Sequence, residues 1–180
     1  EGGVRTLTGA LAGVWNYLGS VRYQVPAGVE VNSLRVSSAE IAWIEDGGTP
    51  TLLHCAKPSG EGACAALSLN TSLGGMVPES LVLAGAHATW RTVGQEIMSL
   101  DLRVASPSPV KIGSGAISLA AMDRGVFVAK DDRSVRFLSY EGKETRLFTA
   151  AGSIGPMVAD DTTLFYATVD RKLWRYTHGR

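Results

Sequence analysis

The stretch Asp160–Tyr176, DDTTLFYATVDRKLWRY, holds two short apolar runs separated by a polar turn. Leu164-Phe165-Tyr166-Ala167 and Leu173-Trp174-Arg175-Tyr176 are rich in aromatic and aliphatic residues, and Val169-Asp170-Arg171-Lys172 lies between them. Runs of this composition, bounded by turn signals, read as the two strands of a hairpin. The same arrangement stands 38 residues earlier, where Val126-Phe127-Val128-Ala129 and Val135-Arg136-Phe137-Leu138 flank Asp131-Asp132-Arg133-Ser134.

Working outward, three patterns recur in fixed order. Pattern a starts at Leu34, Leu81, Leu119 and Met157, at intervals of 47, 38 and 38. Pattern b starts at Ile41, Ala88, Val126 and Leu164, with the same three intervals 47, 38 and 38. Pattern c starts at Val14, Leu52, Ile97, Val135 and Leu173, at intervals of 38, 45, 38 and 38. The longer unit contains both cysteines and extra residues before Leu81, where an insertion would sit. A fourth strand fits less sharply at Ala65–Leu69, Val110–Ile112 and Arg146–Thr149, as expected of an outer strand with one solvated face. Four antiparallel strands every ~40 residues are the sequence signature of a β-propeller blade. A helical solenoid would need apolar residues at i, i+3, i+4 and i+7 over a dozen positions, and Thr163–Tyr176 is instead broken at Asp170-Arg171.

The expected architecture is therefore all-β and propeller-like, with about three whole blades and two partial ones. The boundaries fall at 1–28 (partial), 29–75, 76–113, 114–151 and 152–180 (partial). In the first partial blade, strands are expected at Val4–Leu7, Val14–Tyr17 and Val21–Val25. Because a ring must bury its edges, this count suggests the C-terminal part of a larger propeller. The opening Glu1-Gly2-Gly3 without Met fits a processed product or a piece of something longer.

Asp160–Tyr176 resembles the generic blade of bacterial propeller repeat proteins: an Asp-bearing turn, LFYAT, a polar hairpin, then LWRY. WIEDGGTPTLLHCAKPSGEGACAAL, Trp43–Leu67, is similar to a variant in secreted bacterial propellers in which a Cys…Cys hairpin joins the third and fourth strands. The resemblance implies fold and says little of activity, since propellers host many unrelated ones. Neither a Gly-His…Trp-Asp pair nor a quinone-binding signature is present.

Cys55 and Cys64 fall at the end of one expected strand and the start of the next, across a hairpin. That position suits a disulfide, which would imply an oxidising compartment, extracellular or periplasmic. Two buried free thiols are the alternative; a zinc site lacks a second Cys/His pair at ligand spacing. Lys+Arg and Asp+Glu both number 17, so a basic nucleic-acid footprint is not expected. Leu7–Gly19, the longest near-apolar run, is too short to span a bilayer.

Candidate chemistry is sparse. Asp123 and Asp161 occupy equivalent a–b turns, while Asp132 and Asp170 fall in b–c turns. Such carboxylates could bind at a rim, yet turn chemistry alone explains them. Trp43 and Trp90 are equivalent in pattern b and offer either an aromatic platform or inter-blade packing. Arg91, Arg136 and Arg175 could face the channel or pair with turn carboxylates. His54 adjoins Cys55, but neighbours in a strand point to opposite faces, which argues against a Cys–His pair; His87 and His178 are isolated. Asn70-Thr71-Ser72 matches a glycosylation acceptor. No catalytic residue, metal or cofactor is expected. The reading is a non-catalytic extracytoplasmic interaction or sensor module that binds a protein or ligand through rim loops, with a protein or the rest of the propeller as partner. The alternatives are a lyase or hydrolase acting at the channel end, and a structural fragment completed by a partner chain.

Overall fold

The computed structural model describes residues 14–15, 21–23, 25–57, 64, 67–68 and 73–177. The strand expected at Val4–Leu7, the Asn70-Thr71-Ser72 sequence and His178 lie outside them.

The described chain is a succession of antiparallel meanders. A two-stranded hairpin, β1 (Val14–Trp15) and β2 (Val21–Tyr23), comes first. Sheet I holds β3 (Glu30–Val36), β4 (Glu40–Asp46), β5 (Pro50–Ala56) and β6 (Leu67–Ser68). Sheet II holds β7 (Val82–Ala84), β8 (His87–Arg91), β9 (Glu96–Asp101) and β10 (Val110–Ser114). Sheet III holds β11 (Ser118–Met122), β12 (Gly125–Ala129), β13 (Ser134–Ser139) and β14 (Glu144–Thr149). Sheet IV holds β15 (Ile154–Ala159), β16 (Thr163–Thr168) and β17 (Leu173–Thr177). In each, sequential strands are neighbours, so every connection is a hairpin. Three four-stranded blades, a three-stranded one and a hairpin are the all-β, propeller-like architecture the 38-residue period predicts.

The repeat is also visible in register. The second residue of pattern a pairs with the second of pattern b in all four sheets: Arg35 with Ala42, Val82 with Thr89, Ala120 with Phe127 and Val158 with Phe165. The b–c hairpins of sheets II, III and IV share one geometry. Gln95, Arg133 and Arg171, spaced by 38, all take positive φ, at 61, 62 and 65°. Their amides bond back to Thr92, Lys130 and Thr168 carbonyl oxygens at 2.9, 3.0 and 2.9 Å. Sequence reasoning favours Gly or Asp in such turns, but here ordinary side chains occupy the left-handed position, at a cost of about 1 kcal/mol or more each.

Three cores lie between neighbouring sheets, and a fourth, smaller cluster of Trp43, Leu53, Cys55 and Cys64 lies on one flank of sheet I. All five residues of β12 are buried. Val126 and Val128 pack with Ile97, Ile112 and Leu138 toward sheet II. Phe127 and Ala129 point the other way, into a core with Ile154, Leu164 and Tyr166 of sheet IV. Period-2 alternation therefore serves two cores, so β12 reads as a continuous apolar run. Sheets I and II enclose a third core containing Ile44, Leu52, Leu81, Trp90 and Leu100. The glycine before Val126 is dictated by this packing: a Cβ on Gly125 would strike the Leu138 carbonyl oxygen and lie 2.8 Å from Phe137 Cζ.

Candidate binding site

The first strands of the four sheets, β3, β7, β11 and β15, line a groove of about 700 Å³. Its described wall is mostly aliphatic, with Leu81, Leu119 and Met157 among its residues, and among the described residues three charged side chains interrupt it: Arg35, Glu79 and Arg91. The arrangement follows from the insertion before Leu81. Instead of extending β7 toward its N-terminus, the chain makes a 3-10 turn at Pro78–Ser80. Pro78 suits the turn's first position because its missing N–H would have no partner there. Ser80 anchors the turn: its hydroxyl lies 2.6 Å from Val77 O and accepts the Arg91 amide at 2.8 Å. The Val77 amide donates to Arg91 O at 2.8 Å. On the other flank, Arg35 Nε donates to Leu81 O at 2.8 Å and Arg35 Nη1 to Leu34 O at 3.0 Å.

Of the three arginines foreseen for the channel or for turn carboxylates, Arg91 lines the groove. Arg136 makes ion pairs with Glu144 at 2.9 Å and Asp132 at 3.4 Å. Arg175 is exposed on β17. Arg35 and Glu79 escaped the sequence reading, although a signal existed. Arg35 stands where the other repeats carry Val82, Ala120 and Val158, and Arg91 where they carry Ile44, Ala129 and Ala167.

The rim carboxylates divide between opposite ends of the strands, because a–b and b–c turns alternate along a meander. Asp123 and Asp161 lie exposed in a–b turns and Asp132 and Asp170 in b–c turns. The b–c pair is engaged. Asp132 Oδ1 accepts the Ser134 amide at 2.9 Å, and the Ser134 hydrogen bonds hold its pKa below the usual range. Lys172 lies 2.8 Å from Asp170 and lowers that carboxyl's pKa. In the last a–b turn it is Asp160, the neighbour of Asp161, that caps the backbone, accepting the Thr162 and Thr163 amides at 2.8 Å.

Trp43 and Trp90 take the packing role. Both are fully buried, at 0% exposure, so neither reaches a rim. Trp43 Nε1 donates to Glu45 Oε1 at 3.0 Å and Trp90 Nε1 to Leu73 O at 3.1 Å. His54 and Cys55 do point apart. His54 Nδ1 lies 3.2 Å from Glu40 Oε2, both side chains buried, whereas Cys55 is disulfide-bonded to Cys64 with a Cα–Cα distance of 5.7 Å. A second, smaller cavity forms where sheets II and III meet. There His87 stacks on Tyr140 at 3.9 Å, with Asp101 Oδ2 3.9 Å from His87 Nε2. Burial lowers the His87 pKa and raises that of Tyr140, while the Arg103 hydrogen bond holds Asp101 down at about 2. Among the described residues, no group of three or more His, Cys, Asp or Glu side chains is placed to hold a metal, and no helix is long and apolar enough to cross a membrane.

No protein-family model matches the chain, and no curated protein matches it by sequence. Solved structures do. Prp20p from Saccharomyces cerevisiae is 12% identical with a TM-score of 0.66, the match covering 89% of this chain and 48% of that one. BamB from Moraxella catarrhalis is 10% identical with a TM-score of 0.57, over 82% of this chain and 43% of its own. PorZ of Porphyromonas gingivalis is 18% identical with a TM-score of 0.56, over 87% of this chain and 21% of its own. At such identities the likeness establishes fold. The fold is that of a β-propeller, built of three- and four-stranded antiparallel blades whose first strands line one groove. The chain spans about half, or less, of the length of these structures.

Proposed function

We propose that this chain is a non-catalytic interaction or sensor module of an extracytoplasmic, secreted bacterial propeller, binding a protein or ligand through its rim turns. The observation that carries the reading is the burial of the inner strands: β4 and β8 are largely buried, and β12 is buried along its whole length between two cores. That leaves the turns as the main source of free polar groups. Asp123 and Asp161 have no hydrogen-bond partner among the described residues, which makes the a–b rim the better contact face. The Cys55–Cys64 disulfide supports an oxidising compartment. So does the likeness to PorZ, described as a bacterial surface component. Prp20p, a neighbour of the same fold, is described with its binding properties to Gsp1p and histones, which supports a binding role. The test is photo-crosslinking in the producing cells, with a photoreactive residue placed at Asp123 or Asp161 and, for comparison, at Asp170. A discrete adduct from the a–b rim alone is expected. Adducts of equal yield from both rims, or none from either, would overturn the assignment.

A second reading, a structural fragment completed by a partner chain, has its own observation. The outer face of sheet IV exposes Val158 at 65%, Phe165 at 38% and Leu173 at 75%, where the equivalent faces of sheets I to III are packed. A further blade would cover that face. Light scattering tests this: a second copy or a co-purifying chain supports it, and a strict monomer at all concentrations refutes it.

A further inference from the structure

We propose that the groove between the first strands is a binding site for a small organic carboxylate with an apolar body. The proposal is independent of the rim-turn reading. It rests on two departures from the repeat that converge in space. Patterns a and b are otherwise aliphatic or small at the positions of Arg35 and Arg91, and 56 residues separate those two arginines. Both line the same groove, on either side of the inserted turn Pro78–Ser80.

Neither arginine makes an ion pair among the described residues. Arg35 uses Nε and one Nη1 hydrogen on backbone carbonyl oxygens, leaving Nη2 for another acceptor. Arg91 has its backbone fastened to the turn, and its half-buried guanidinium has no hydrogen bond or ion pair among the described residues. A guanidinium carries five N–H donors and no acceptor, and a planar carboxylate matches its fork. Among the described residues Glu79 is the one carboxylate on the wall, so the described charges there sum to +1. A single anionic group complements that balance, and the aliphatic wall suits an apolar remainder. A volume of about 700 Å³ falls within the roughly 300–1,000 Å³ of small-molecule sites. The carboxylate is assigned to the Arg35–Arg91 end, and the apolar body to the wall of Leu81, Leu119 and Met157.

The probe is 4-phenylbutyrate, titrated into the 15N-labelled chain, with 4-phenylbutanol as the uncharged control. Saturable shifts are expected at the amides of Ser80, Leu81 and Arg91, with the alcohol at least about tenfold weaker, the size of one charge-assisted contact. Arg91→Gln should weaken the acid about tenfold and leave the alcohol unchanged. Since the Arg91 side chain makes no hydrogen bond or ion pair among the described residues, the variant should keep the parent's spectrum elsewhere. Glu79→Gln should move affinity the other way, tightening the acid two- to fivefold by removing a like charge. Acid and alcohol binding alike, or a Glu79→Gln variant that weakens the acid, would overturn the proposal. So would tight binding of the acidic peptide Ac-Leu-Val-Glu-Val-Leu-NH2 at these same amides with no shift from 4-phenylbutyrate. That result would make the occupant a loop of a partner protein.

Discussion

Reducing the Cys55–Cys64 bond should cost this protein about 2.6 kcal/mol of stability. The bond closes a separation of nine residues, and the loop-entropy relation at that length gives about 8.7 cal/mol/K of denatured-state entropy, hence about 2.6 kcal/mol at 25 °C. Both half-cystines are buried beside Trp43 and Leu53, on the flank of sheet I away from sheet II. The two freed thiols would remain in an apolar setting that tolerates them as small hydrophobes, so the entropic cost dominates. For a chain of this size, 1 kcal/mol shifts Tm by roughly 2–4 °C, which predicts a fall of about 5–10 °C. The assay is urea and thermal unfolding of one preparation with and without a phosphine reductant, with thiol titration to show that the bond has opened. The Cys55→Ala, Cys64→Ala double variant serves as a permanently open control and should fall by a similar amount, plus the packing lost with two sulfur atoms. An unchanged urea midpoint in a sample with two titratable thiols would refute the reasoning. It would mean that sheet I holds the 55–64 segment closed by itself, and the disulfide would then no longer argue for an oxidising compartment.

Three further outcomes are expected. Phe127→Ala, at a side chain with 0% exposure, should lose about 3–5 kcal/mol by opening a cavity between sheets III and IV; a loss under 1 kcal/mol in urea unfolding would mean that the two sheets do not share a core. Arg133→Gly should raise stability by about 0.5–1 kcal/mol, because it relieves a left-handed residue at φ 62° whose strain exceeds the added chain entropy of glycine. A lowered urea midpoint would contradict that turn geometry. Stability should also fall as pH drops below about 6.5: burial lowers the His87 pKa, so the unfolded chain takes up a proton there before the native state does. The urea midpoint measured from pH 8 to 5 should decline in the parent and decline less in His87→Gln. A second decline, between pH 4 and 2, should follow Asp101, which Arg103 holds down at about 2 and which must be protonated as the chain unfolds.

The strands and their order were legible in the sequence because a hairpin is a local object. Pattern b, its turn and pattern c occupy thirteen residues in 126–138 and again in 164–176, and composition over that span suffices to mark two strands and a reversal. The outer strands were placed less sharply. β14 runs Glu144–Thr149 where Arg146–Thr149 was expected, and β10 runs Val110–Ser114 where Val110–Ile112 was expected, since a half-solvated strand carries weaker patterning. The disulfide was legible for the same local reason, with Cys55 in β5 and Cys64 shortly before β6 in sequence.

The groove was not. Arg35 and Arg91 each read as a single charged residue beside apolar neighbours, and nothing in either segment refers to the other. Only the stacking of sheet I on sheet II, with the Pro78–Ser80 turn between them, brings them to one wall. The fate of the tryptophans was likewise decided in three dimensions. Trp43 and Trp90 hold the same place in pattern b, but Trp90 is buried in the core between sheets I and II, whereas Trp43 is buried with Leu53, Cys55 and Cys64 on the other flank of sheet I. Nearest-neighbour chemistry determined the elements of this protein, because turns and alternation act over a few residues. Tertiary structure alone decided which side chains meet, because contacts between blades, such as Ile97 with Val126 and Phe127 with Ile154, join residues of different hairpins, whose meeting depends on how whole sheets twist and stack.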